Sequence, residues 1–187
     1  MTDTDHMTDP TAPLADLIAL IQTPAIRHLV QEHLLRAPAA FWSAPASTSG
    51  KSPPAYAAGE GGLVRHTRAV AHITRHLCEM MDATATDRDL ALAAALCHDS
   101  HKVLRPGEYT NFLHPVIAAD EMRYLATTLE HEQYTAYAHT IANAIANYLV
   151  TNKLYDESFV TDHLQFKQGT ENIGNAFADA ADPKNHV

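Results

Sequence analysis

The sequence predicts an all-α fold, and three observations carry that prediction. Apolar residues recur at three- and four-residue spacing along most of the chain. No stretch sustains the apolar–polar alternation of a half-buried strand. The periodic segments are bounded by prolines, glycines and hydroxyl residues in positions that start or stop helices. A length of 187 residues with 46% hydrophobic and 19% charged residues suits one globular domain with a sizeable core.

The elements follow in order. Residues 1–12 are polar and read as a disordered tail, which leaves a single domain over 13–187. Leu14, Leu17, Ile18 and Ile21 form a first apolar stripe, and Ile26, Leu29, Val30, His33 and Leu34 a second, opened by Pro24. Between Pro38 and Gly62 the chain carries four prolines and four glycines, which makes a long loop. Phe41, Trp42 and Tyr56 are expected to anchor that loop, with Phe41 or Trp42 also available to stack a base.

From Leu63 a strong helix runs through Val64, Val70, Ile73, Leu77, Cys78 and Met81 as one buried stripe. The alanine-rich segment ending in "CHDS" follows, with Thr86 read as its N-cap. "HKVLRPGEYTNFL" is a connector with a Pro-Gly turn, and "HPVIAADEMRYLATTLE" starts the next helix. "HEQYTAYAHTIANAIANYLV" and a last helix over "TENIGNAFADAAD", capped by Thr170, complete the series.

Charge and cysteine usage narrow the function. A formal net charge of −9 gives no attraction for a polyanionic backbone, so long nucleic acid is a poor partner. Two cysteines, each inside a helical pattern, form no disulfide framework. No apolar run reaches the roughly 18 residues of a membrane span, and the N-terminus is acidic where a secretory leader is basic. A cytoplasmic location, away from membranes, is the resulting expectation.

His98 and Asp99 stand together at the end of an alanine-rich helix, where the chain leaves the helix and both side chains can turn to one point. One imidazole and one carboxylate suit a borderline divalent ion. A dipeptide alone is equally a solvated helix end, with the histidine near the negative end of the dipole. The wider order decides the matter. "GGLVRHT" ahead of a helix, "AALCHDSHK" at the end of the next and a terminal "AFADAAD" together resemble the HD-domain superfamily of metal-dependent phosphohydrolases. The resemblance runs from about residue 41 to 182 and is closest to the branch with a Gly-Gly-Leu-x-x-His-Thr first motif. That branch includes 3′-end exoribonucleases and phage or archaeal nucleotide hydrolases.

The resemblance implies an HD-type helical bundle with the Pro/Gly/Ser-rich loop near a metal site. It makes His66, His98 and Asp99 metal ligands, and it gives the closing position to Asp179, with Asp182 as the competitor. The implied cofactor is a divalent metal: Mn, Co, Ni, Fe, Zn or Mg. His114 matches the first of the extra histidines that hold a second ion in bimetallic members. Asn147 and Tyr148 stand where the second is expected, with His139 two turns earlier, so one tightly bound ion is expected. Asp99, Lys102 and His114 are the implied catalytic residues, Lys102 being either a phosphate contact or an ion-pair partner.

Ser47, Ser49 and Lys51 in "APASTSGK" could cradle a phosphate or simply belong to a flexible loop. Arg65 is a further substrate-binding candidate, and Glu60 a neighbour or base of the site. His72, His76 and His101 read as surface residues. The implied activity is hydrolysis of a phosphoester or phosphoanhydride in a small nucleotide. The alternatives are a 3′-to-5′ exonuclease and a non-catalytic nucleotide-binding module, and the chain can be a homo-oligomer.

Overall fold

The computed structural model describes residues 9–47, 55–129, 132–151, 167–168 and 171–172. The chain divides into two units, Met1–Tyr148 and Leu149–Val187. The first unit is helical, as the sequence predicts: α1 (Ala15–Ile18), α2 (Pro24–Leu35), α3 (Ala39–Ser43), α4 (Gly62–Met80), α5 (Ala85–Cys97), α6 (His114–Thr128) and α7 (Glu132–Thr151), the last ending just inside the second unit. Short 3₁₀ turns at Ala12–Leu14 and Ala55–Ala57 complete it.

Helix α2 begins at Pro24, whose missing N–H costs nothing at that position. The backbone N–H groups of Gln22 and Thr23 just before it donate to the two carboxylate oxygens of Asp89, at 3.0 and 2.7 Å. Asp89 is buried on α5, so one carboxylate satisfies the entry to one helix from the body of another. The same contact bears on the cap of α5. Thr86 does not cap α5: Thr84 does, accepting from the Asp87 N–H at 3.2 Å while its hydroxyl donates to the Asp87 carboxylate. Thr84 and Asp87 are bonded to each other at the helix start, and Asp89, at the matching distance from Thr86, is engaged by the residues that lead into α2.

The core gathers Leu14, Ile26, Phe41, Leu63, Leu96 and Met122, all without exposed surface. Phe41 meets the half-buried Trp42 edge to face, with ring centroids 4.8 Å apart. Full burial of such a side chain stabilises by about 1.5–3 kcal/mol. Phe41 is therefore an anchor of the loop and is closed to a substrate base. Tyr56 does not anchor: about half of its surface is exposed.

The two glycines before α4 have distinct roles. Gly61 has φ +67, the left-handed region where a side chain is strained. A Cβ on Gly62 would lie 2.1 Å from the Ala57 carbonyl oxygen, so only glycine lets the loop close over the helix start. The first N–H groups of α4 then find carbonyls in α3 and just beyond it, Gly61 N to Ser43 O at 2.8 Å and Leu63 N to Ala44 O at 2.9 Å.

The buried stripe of α4 is shorter than the periodicity implies. Leu63, Val64 and Ala71 are buried and Val70 packs against the core, but Ile73, Leu77 and Met81 are each more than half exposed. The apolar spacing continues past the length of helix that the first-unit core covers.

In the second unit Lys167–Gln168 pairs antiparallel with Glu171–Asn172. A two-residue ladder therefore stands where the last helix was expected to begin. Thr170, Asp179, Asp182 and the rest of that expected helix lie outside the described residues.

Candidate metal centre

α4 and α5 make the most extensive helix pair of the first unit. They are joined by a short turn at residues 81–84, so the start of α4 comes beside the end of α5. His66, in the second turn of α4, thereby meets His98, the C-cap of α5, with ring centroids 5.8 Å apart.

Asp99 is the hub. It is 3% exposed, and its carboxylate faces four cationic or imidazole groups. His66 Nε2 and His98 Nε2 stand 3.6 and 3.5 Å from its Oδ2. Lys102 Nζ donates to the same oxygen at 2.7 Å, and His114 Nε2 lies 2.8 Å from Oδ1. Burial alone would raise the Asp99 carboxyl. His98, the hydrogen bond from His114 and the Lys102 ammonium outweigh it and hold the group far below the usual carboxylate range. The carboxylate is thus ionised and ready as a ligand at any working pH.

The imidazoles are oriented by their second nitrogens. His98 Nδ1 lies 2.8 Å from the Ala95 carbonyl oxygen, and a carbonyl can only accept. The proton therefore sits on Nδ1 and leaves a lone pair on Nε2, the arrangement metal-binding histidines use. Burial lowers the His66 imidazole, and Lys102 and His98 add to this against the opposing pull of Asp99. His66 is a neutral donor near pH 7.

These three side chains fit a divalent ion. One nitrogen each from His66 and His98 and one oxygen from Asp99 lie within 4.8 Å of one another. Donors around a single ion stand about 3–3.5 Å apart when each bond is about 2.0–2.2 Å. The 3.5 and 3.6 Å separations already approach that, and a small imidazole rotation closes the remainder. Among the described residues this is the one such group.

The other sequence candidates divide clearly. Lys102 is paired with Asp99. His114 opens α6 and touches Asp99, whereas His139 is exposed and stands apart from the group. The Arg65 guanidinium donates to the carbonyls of Tyr56, Ala58 and Glu60 and holds the loop ahead of α4. Arg68 pairs with Asp16 through both guanidinium nitrogens at 2.6 and 2.7 Å. Glu60 is exposed. Ser47 is half-buried and has interactions of its own, while Ser49 and Lys51 lie outside the described residues, as does Asp179.

His72 and His76 are exposed as expected, but His101 is buried and hydrogen-bonded to Ser100. Its misplacement has a simple cause. The chain leaves α5 after Cys97, so helical periodicity no longer tells which way the residue three positions beyond His98 points. His33, the other histidine of this buried cluster, was legible only as a member of the apolar stripe of α2.

A cavity of about 280 Å³ opens beside the group. His66 and His98 stand at one side, and Val70, Ala91, Ala94 and Ile145 are among its apolar walls. No helix among the described residues is long and apolar enough to cross a membrane.

A family model described as HD domain matches residues 63–158, just over half of the chain. The matched span contains His66, His98, Asp99, Lys102 and His114, and it ends before Asp179 and Asp182. No curated protein and no solved structure matches the chain. The metal-type turn at the end of α5, the histidine brought to it by α4 and the matched span all point the same way: the chain belongs to the HD domain family, whose members are generally metal-dependent phosphohydrolases.

Proposed function

We propose that this protein hydrolyses a phosphoester or phosphoanhydride bond of a small nucleotide at the His66–His98–Asp99 centre. The observation that carries the reading is the position of that centre at the edge of an apolar cavity of about 280 Å³. A cavity of this size is near the lower end of the roughly 300–1,000 Å³ range of small-molecule sites. Alanine and aliphatic walls suit a flat, weakly polar ring, and the histidines beside them suit a phosphate. The net charge of −9 favours such a substrate over a polymer.

A divalent ion held by His66, His98 and Asp99 would supply Lewis acidity there, activating water near neutral pH and polarising a phosphoryl oxygen. The protein's own groups have simpler tasks. His98 is locked by the Ala95 carbonyl with its lone pair outward. Lys102 balances Asp99 and keeps an ammonium beside the reacting phosphate, where it opposes charge developing on phosphoryl oxygens. His114 faces the remaining Asp99 oxygen, in place to hold or pass a proton. Asp179 is the proposed fourth ligand, and Ser47, Ser49 and Lys51 are proposed phosphate contacts.

The test is phosphate release from a panel of nucleoside mono-, di- and triphosphates and cyclic nucleotides, with Mn²⁺ or Co²⁺ supplied and Asp99→Asn as control. Hydrolysis of at least one nucleotide that disappears in the variant supports the reading. Activity confined to oligonucleotides, falling steeply with salt, would replace it with the exonuclease alternative. Metal binding without any turnover would leave a nucleotide-binding module.

A further inference from the structure

We propose that His33 is a positioning residue for the metal centre: from α2, outside the family-matched span, it fixes through the Ser100 hydroxyl the turn that presents His98 and Asp99. The inference rests on the reading of His66, His98 and Asp99 as metal ligands.

Ser100 follows Asp99 directly and has no exposed surface. Its Oγ has three neighbours at hydrogen-bond distance: the Cys97 carbonyl oxygen at 2.8 Å, His33 Nε2 at 2.8 Å and His101 Nδ1 at 2.9 Å. A hydroxyl owns one proton and accepts twice. The carbonyl can only accept, so the Ser100 proton goes to Cys97. Both imidazoles must then donate, which places a proton on His33 Nε2 and on His101 Nδ1. The count closes with no group left over at the hydroxyl. Ser100 thus ties the last carbonyl of α5 to α2 and to the residue after it, one step beyond the ligand Asp99. The His33 and His101 rings also meet edge to face at 5.6 Å.

An imidazole is an expensive way to fill this position. His33 is wholly buried within the apolar stripe of α2, and its Nδ1 has no hydrogen-bond partner among the described residues. A leucine would fill the stripe without stranding a lone pair. What the imidazole adds is the bond to Ser100. Burial, reinforced by His101 and Arg36, pushes His33 down to about 3, so the ring stays neutral with one proton to donate.

The turn itself is short and open to error. His98 N still reaches Ala94 O at 3.0 Å, but beyond it the turn rests on Ser100 N to Cys97 O at 3.2 Å and Lys102 N to Asp99 O at 3.0 Å. Without the pull of α2 on Ser100, the backbone that follows His98 is less fixed, and the placing of the Asp99 carboxylate against His66 and His98 loosens with it. Partners behind metal ligands are worth about 10–100-fold in metal affinity or activity. His33 acts one bond further back, so about tenfold is expected.

The test uses Co²⁺ titration of the full chain together with urea unfolding. His33→Leu should bind Co²⁺ about tenfold more weakly while its unfolding midpoint stays level or rises. His33→Gln, whose amide nitrogen can stand near Nε2, should return affinity to within about threefold of wild type. Ser100→Ala should weaken binding similarly, and the His33→Leu/Ser100→Ala double variant should be no worse than Ser100→Ala alone. In the unmodified protein, imidazole ¹⁵N spectra should show His33 protonated on Nε2. Wild-type affinity in His33→Leu, equal damage to affinity and stability in the Leu and Gln variants, or a proton on His33 Nδ1 would each overturn the proposal. Asp99→Ala separates the two levels. Retained Co²⁺ binding there overturns the reading of the centre and this proposal with it, whereas lost binding there beside wild-type affinity in His33→Leu overturns this proposal alone.

Discussion

His114 Nε2 stands 2.8 Å from Asp99 Oδ1 while its Nδ1 lies 2.6 Å from the Asn111 carbonyl oxygen. A carbonyl accepts, so Nδ1 carries a proton. Contact between the other nitrogen and a carboxylate then needs a second proton on the ring, or a cation shared between the two. The Asn111 N–H in turn donates to the Lys102 carbonyl at 2.8 Å. The connector between Lys102 and α6 is therefore pinned at both ends to residues that touch Asp99.

That geometry predicts that His114→Ala separates binding from chemistry. Metal affinity should stay within about tenfold of wild type, because His66, His98 and Asp99 remain. Phosphate release should fall roughly 10²–10³-fold, the scale of a lost proton-transfer group, or about 2.7–4 kcal/mol in the barrier. Metal titration and single-substrate kinetics check the split. Loss of the ion itself would make His114 a ligand.

The ligand set predicts about one divalent ion per chain. Elemental analysis after exposure to excess Co²⁺ should give a ratio near one in the wild type and near zero in His98→Ala and Asp99→Ala. Far-ultraviolet circular dichroism should remain helical in both variants. A ratio near two would point to a second position at His114.

The cavity predicts a size limit that Ala94 sets. Ala94→Leu places three more carbons in the space beside His66 and His98. It should raise KM for nucleotides by about tenfold or more, since overfilling a formed site costs roughly 1–3 kcal/mol. Phosphoesters of a short alkyl alcohol should be hydrolysed at nearly the wild-type rate. Equal loss on both substrate types would place the base elsewhere.

Acid sensitivity follows from His33. Its folded-state value near 3 lies below the ordinary 6.5, so the unfolded chain takes up the proton first. The contribution is complete above pH 6.5 and is lost as pH falls toward 3, at about 1.4 kcal/mol per pH unit for one proton. His66 and His101 are shifted in the same direction and steepen the slope. Asp99 is lowered as well, from the carboxylate range, so it supports the fold above that range and gives way only below it. Urea unfolding at pH 7, 6 and 5 should show His33→Leu losing less stability than wild type by about one proton's worth. Identical slopes would mean that His33 is protonated in the folded state.

The sequence by itself determined the helical class and the helix starts at Pro24 and His114, and it marked His66, His98 and Asp99, which the fold brings together. Those features are written locally. A helix start is a matter of one backbone N–H or one φ angle, and the His98–Asp99 pair and the Gly-Gly turn before His66 lie in short contiguous stretches. The tertiary structure decided what depends on who stands opposite. Arg65 went to three loop carbonyls shortly before it, Lys102 to Asp99 one turn back and Asp89 to the distant start of α2, because a charge goes to whichever unpaired partner the folded chain brings nearest. The exposure of Ile73 and Leu77 and the burial of His101 have the same origin, since periodicity reports which residues share a face but not how far the facing element extends. His33 is the clearest instance. It lies 67 residues from Ser100, on a helix chosen by its apolar stripe, and only packing brings its one useful proton to the turn that holds Asp99.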